Sequence, residues 1–189
     1  RSSDLPVPPD ALLVMAEPMI HHRTPQFRTV FDEVHAGLKE VFCTSSDLIT
    51  LFGSGTAAME AAVVNSCDAG DKALVVRGGK FGERWGEICK AHGVPFTAID
   101  IAWGTAVKPE QIAAALKADP SIAAVFITLV ETSTGVLTDV KAIGEIMKNS
   151  NALLAVDGVS GVGAVECRVD DWGIDLLAVG SQKALMVPP

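Results

Sequence analysis

The feature that most constrains this chain is a repeated alternation of short apolar runs with longer amphipathic segments. The runs are LITLF (48–52), ALVV (73–76), FTAIDI (96–101), AAVFITLV (123–130), ALLAV (152–156) and LLAV (176–179). Between them lie helical stretches at roughly 55–66, 81–92, 109–118 and 139–149. A further stretch, 25–42, opens with Pro25 and sets Phe27, Val30, Phe31, Val34, Leu38 and Val41 at three- and four-residue steps, the spacing of an amphipathic helix. Runs of strand length that are apolar on both faces belong in a sheet covered by helices on each side. Their alternation with helices predicts an α/β domain built on a mainly parallel sheet. Residues 1–24, proline-rich from Pro6 to Pro9, read as an extended lead-in, and 25–189 as one continuous domain.

Composition narrows the function classes. The 189 residues are 49% hydrophobic and 20% charged, a globular balance. A net charge of −8 argues against nucleic acid or an anionic membrane surface as the main partner. No stretch approaches the roughly 20 uninterrupted apolar residues of a membrane helix, and the opening RSSDLPVPPD lacks a signal-peptide core. Cys43, Cys67, Cys89 and Cys167 form no CxxC pair and have no histidine cluster beside them. No metal site is expected, and a reducing, cytoplasmic compartment is.

Ligands of open α/β sheets bind beyond the carboxyl ends of the strands, so the residues after each run carry the functional reading. After LITLF comes Gly53-Ser54-Gly55-Thr56 and then AAMEAAVV. Such a helix start can hold a phosphate on free N–H groups, or it can simply be a tight turn with a hydroxyl cap. It is not a P-loop, because no GK[ST] follows. After ALVV, Phe81 could stack on a flat cofactor or join Trp85 in a core stripe, where Trp85 itself is placed. After AAVFITLV, the hydroxyl-rich Glu131-Thr132-Ser133-Thr134-Gly135 could bond a ligand or cap the helix beginning near Thr138. Asp157 ends an apolar run and needs a partner or a cation, since a bare buried carboxylate is costly. Lys183 stands in Gly180-Ser181-Gln182-Lys183-Ala184-Leu185, among small and apolar neighbours. A desolvated lysine there could act as a nucleophile, or it could reach solvent across the loop. Together, an anion site, a ring-stacking aromatic, a hydroxyl, an acid and an amine form the set that pyridoxal phosphate (PLP) requires.

The motifs PMIHHRTPQF, GSGTAAMEAAVVN, GGKFGERW, ETSTGVL, VDGVSGVG and GSQKAL follow one another along nearly the whole chain. In content and order they resemble the class V aminotransferases of the PLP fold-type I group, above all the alanine–glyoxylate and serine–pyruvate aminotransferases. The resemblance implies that Ser54, Gly55 and Thr56 hold the PLP phosphate, with Gln182 beside it. Phe81, where relatives often carry Trp, would stack on one ring face and Val159 would pack on the other. Thr132 would bond near the phenolic oxygen, Asp157 would pair with the pyridine nitrogen, and Lys183 would carry the Schiff base. The implied reaction is a ping-pong transfer of an amino group from a small amino acid, alanine or serine, to a keto acid such as glyoxylate or pyruvate.

Phosphoserine aminotransferases share the pattern. Cysteine desulfurases and lyases usually have His before the lysine and over the ring, where this chain has Gln182 and Phe81. A non-catalytic phosphate-binding α/β domain would need no Asp157 facing Lys183. The chain stops six residues after Lys183, so it is expected to be part of a longer protein. The resemblance implies that the remainder supplies a small C-terminal domain, the substrate-carboxylate arginine and contacts across a homodimer.

Overall fold

The computed structural model describes residues 6–188. Its elements run α1 (Pro9–Met15), α2 (Pro25–Phe42), α3 (Gly55–Ser66), β1 (Lys72–Arg77), α4 (Lys80–Ala91), β2 (Phe96–Asp100), α5 (Pro109–Ala118) and β3 (Ile122–Thr128). There follow β4 (Val130–Glu131), β5 (Val136–Leu137), α6 (Val140–Met147), β6 (Leu153–Asp157) and β7 (Leu176–Ala178). The expected α/β architecture is present: β2, β1, β3, β6 and β7 form one five-stranded sheet in that order, parallel throughout. The chain steps from β1 outward to β2 and then returns to the other side of β1. That reversal is the switch point at which open α/β sheets bind ligands.

Side-chain alternation sorts the two faces. Leu74, Val76, Val125, Ile127, Leu154 and Val156 point into a core with Ile112 of α5, Val140, Ile143 and Met147 of α6, and Phe42. Ala73, Val75, Ala124, Phe126, Ala155 and Ala178 point the other way, against Met59, Ala62 and Val63 of α3 and Trp85, Ile88 and Cys89 of α4. A strand buried on both faces has no polar side to display, hence its unbroken apolar sequence. Trp85 is core as expected: it stacks on Phe126 at 4.9 Å between ring centroids, and its Nε1 donates to the Ile127 carbonyl at 3.1 Å.

Three sequence expectations are corrected and one open alternative is decided. LITLF (48–52) is not a strand: the segment has no regular structure, Ile49 is 83% exposed and Phe52 fully exposed. A strand needs a neighbouring ladder, and the described sheet edges lie elsewhere. The lead-in is not simply extended, because Pro9 opens α1, a place where proline's fixed φ and missing N–H suit a helix. The run 123–130 breaks after Thr128, and β4 pairs with β5 in a separate antiparallel ribbon whose turn closes at Gly135, φ 73°. Finally, α6 is capped by Asp139, whose Oδ1 accepts from the Ala142 N–H at 3.0 Å, and not by the hydroxyl turn. Among the described residues no helix is long and apolar enough to cross a membrane.

Candidate functional site

The start of α3 leaves backbone N–H groups free. Ser54 is extended and its Oγ accepts from the Ala57 N–H, while the Ser54 carbonyl accepts from Ala57 and Ala58. The Gly55 and Thr56 N–H groups have no protein acceptor among the described residues. A free first turn of this kind attracts negative charge. Gly55 is required by close approach: a Cβ there would lie 2.7 Å from Val159 Cγ2. The same Val159 lies 3.1 Å from where a Cβ on Gly180 would stand, and Gln182 Oε1 lies 2.8 Å from that point. Gly55, Val159, Gly180 and Gln182 therefore meet, joining α3 to the loops after β6 and β7.

Asp157 closes β6, paired in register with Thr128 of β3 and Ala178 of β7. It is 3% exposed, and its one protein partner among the described residues is the Val159 N–H, which donates to Oδ1 at 3.0 Å. Burial pushes its carboxyl up to about 6; the Val159 N–H opposes the shift, the Glu131 charge adds to it and the Arg84 charge opposes it. Beside it in register, the buried Thr128 hydroxyl has no partner.

The ring-stacking candidate is held by an acid whose role the sequence did not disclose. Gly79, the residue before α4, offers no side-chain cap. Glu131 of β4 caps the helix from a distance: its carboxylate accepts from the N–H of Phe81 at 3.2 Å, of Gly82 at 2.9 Å and of Ser133 at 3.1 Å, and from the Ser133 hydroxyl at 2.7 Å. Burial opposes ionisation of Glu131, but the bonds from Ser133, Gly82 and Phe81 outweigh it and hold the carboxyl below its ordinary value. On the helix itself, the Arg84 guanidinium lies over the Phe81 ring at 4.9 Å and donates to Thr56 Oγ1 at 3.0 Å. Phe81, Arg84 and Thr56 are thus one cluster.

Thr132 follows Glu131, and its Oγ1 shares a 2.5 Å hydrogen bond with Ser160 Oγ in the loop after β6. Ser160 is a second residue that the sequence did not single out. Lys183 is half-buried in the turn 181–185 that follows β7. That turn lies over the β6 loop: a Cβ on Gly163 would sit 3.3 Å from Ala184 Cβ. Among the described residues, Lys183 Nζ has no hydrogen-bond or ion-pair partner, and no such bond joins it to Asp157, Thr132 or Gly55. All four cysteines are free thiols.

Along one sheet edge stand a helix start with free N–H groups, an aromatic ring, paired hydroxyls, a buried acid and an amine. Known proteins resemble the chain over nearly its whole length. The family model for "Aminotransferase class-V" matches residues 13–189. A protein of Anabaena cylindrica named soluble hydrogenase 42 kDa subunit is 45% identical over 187 residues, which cover 97% of this chain and 49% of that protein. L-aspartate–glyoxylate aminotransferase of Paracoccus denitrificans is 37% identical, with 97% and 48% covered. Among solved structures, alanine–glyoxylate aminotransferase of Nostoc sp. superposes with a TM-score of 0.93 at 33% identity, covering 97% of this chain and 49% of that one. The chain spans about half the length of the curated relatives it matches. It belongs to the class V aminotransferase family.

Proposed function

We propose that the intact protein is a PLP-dependent aminotransferase that moves an amino group from a small amino acid to a 2-keto acid such as glyoxylate or pyruvate, and that this chain holds its cofactor. The observation that carries the proposal is Asp157, a buried acid at a strand end with, among the described residues, a single N–H partner and no ion-paired cation. A protonated ring nitrogen is the partner it lacks. The glyoxylate aminotransferases among the relatives support the substrate class.

The residues present fit PLP. The Gly55 and Thr56 N–H groups, with the Ser54 and Thr56 hydroxyls and Gln182, would hold the phosphate. Phe81 would cover one ring face and Val159 the other, and Thr132 would bond near the phenolic oxygen. When bound, PLP supplies an electron-withdrawing ring that stabilises negative charge developing at the amino acid's α-carbon. Asp157 would keep a proton on the ring nitrogen. Lys183 would be the amine that holds the aldehyde carbon and, once displaced by the substrate's amine, the acid–base group that carries the proton from the α-carbon to that former aldehyde carbon. The side chains packed around Asp157 keep water from the acid, which strengthens its pairing.

The test is covalent. Borohydride reduction of the loaded protein should fix the phosphopyridoxyl group to Lys183 alone, read by peptide mapping. Lys183→Ala should lose that label and at least about 10²–10⁴-fold of turnover, the range of a positioned acid–base group. A label on another lysine, or normal turnover in the variant, would remove Lys183 from the mechanism.

A further inference from the structure

Arg84 forms no ion pair with a carboxylate among the described residues: the adjoining Glu83 is taken by Lys80, and Asp157 feels the Arg84 charge without a hydrogen bond to it. Its guanidinium has instead two contacts, one on each side of the proposed cofactor cradle. Three residues on from Phe81 along α4, it lies over the Phe81 ring, as the i,i+3 geometry of a helix allows. Across to α3, its Nη1 donates to Thr56 Oγ1.

The second contact has a chemical consequence. A guanidinium only donates, so it occupies a lone pair of the Thr56 oxygen. Without it, a hydroxyl in the first turn of a helix is free to take up local backbone bonds and so be lost to a ligand. With Arg84 on its oxygen, the Thr56 hydroxyl cannot accept from a ligand in that direction. Its own proton is left to donate outward, beside the free Gly55 and Thr56 N–H groups.

We propose that Arg84 is a positioning residue for the phosphate site: it fixes the Thr56 hydroxyl as a donor to the phosphate ester and ties that site to the Phe81 ring face. This rests on the PLP reading above. Arg84 touches no reacting atom; it acts through Thr56 and Phe81.

The experiment compares PLP with pyridoxal, which has the same ring and aldehyde but no phosphate. Dissociation constants for both are measured by absorbance titration of the intact, cofactor-stripped protein and of Arg84→Met, Thr56→Val and the double variant. Arg84→Met should weaken PLP by about 10- to 100-fold, the weight of one charge-assisted hydrogen bond. Pyridoxal should weaken by no more than about fivefold, the weight of an exposed cation–π contact. In the Thr56→Val background, the further loss of PLP affinity on Arg84→Met should shrink to the same roughly fivefold or less seen with pyridoxal, because only the contact with the Phe81 ring is left to lose. Equal weakening of PLP and pyridoxal, or an undiminished loss in the Thr56→Val background, overturns the proposal. If Arg84→Met does not fold, Arg84→Lys decides: it keeps a donor to Thr56 and should retain the preference for PLP, and loss of that preference overturns the proposal. A wild-type protein that does not prefer PLP over pyridoxal refutes the phosphate site itself and this inference with it. A wild-type preference that survives unchanged in Arg84→Met refutes the role of Arg84 alone.

Discussion

Replacing Asp157 with Asn should make the cofactor-free protein more stable at neutral pH while destroying its proposed activity. The folded state holds this proton more tightly than the unfolded chain does, because burial lifts the carboxyl from 3.8 to about 6. Stability therefore falls as pH rises through that window, wherever the folded state binds more protons than the unfolded one. With a 3% exposed side chain the full shift counts. At about 1.4 kcal/mol per pH unit, and relative to a side chain uncharged in both states, the titration of Asp157 destabilises the fold by about 3 kcal/mol at pH 7.5 and by about 1 kcal/mol at pH 4.5, where only the unfolded chain ionises it. Asn keeps an oxygen for the Val159 N–H and carries no charge. In urea unfolding of the cofactor-free proteins, the stability gap between Asp157→Asn and wild type should therefore move in the variant's favour by about 2 kcal/mol between pH 4.5 and pH 7.5. A gap that does not change with pH, or that closes, would mean that Asp157 is not a strained acid and would remove the ground for pairing it with a ring cation. Transamination by the loaded variant should meanwhile fall by orders of magnitude, since an amide cannot keep the ring nitrogen protonated.

Two further outcomes follow from the packing of the site. Gly55→Ala should cost about 1–3 kcal/mol by overpacking against Val159 and weaken PLP binding; Val159→Ala in the same protein should restore most of the stability, and a failure to restore it in thermal unfolding would mean the contact is not the cause. Glu131→Ala should destabilise by about 2–3 kcal/mol, the loss of a helix cap together with an orphaned buried N–H, whereas Glu131→Gln, which keeps one acceptor oxygen, should lose clearly less; a negligible loss in Glu131→Ala on urea unfolding would show that the distant cap contributes nothing.

The sequence announced the sheet because strands covered on both faces must be apolar throughout, and that requirement survives in ALVV, AAVFITLV and ALLAV. It misled at LITLF for the same reason. An apolar run shows that side chains favour burial, but a strand also needs a neighbour to complete its ladder, and that neighbour is not a local property. The β4–β5 ribbon, two residues to a strand, is too short to leave a period. Asp157 was legible because an acid ending an apolar strand is locally anomalous. Glu131 ends a strand too, but its partners at Phe81 and Gly82 lie about 50 residues away in sequence. Nothing near Glu131 in the chain distinguishes it from an ordinary turn acid. Arg84 was equally silent, since at that spacing it reads as the polar face of a helix; its meaning lies in Thr56, on another element.

The contrast between the two buried acids identifies which one is available for chemistry. Glu131 accepts from three backbone N–H groups and a hydroxyl, so it is stable as an anion and has no need of a ligand. Asp157 accepts from one N–H and sits beside an unpartnered threonine hydroxyl, so its anion is under-satisfied. When neighbouring acids are pushed in opposite directions by their surroundings, their roles separate. Here the satisfied one holds the start of the Phe81 helix, and the strained one is the acid that the proposed function pairs with the ring cation. The charge of Glu131 makes the strain on Asp157 worse and that of Arg84 relieves it. A single added positive charge at the ring nitrogen would therefore find its strongest partner in this cluster at Asp157, which is why the proposed cofactor orientation follows from the acids and not only from the lysine.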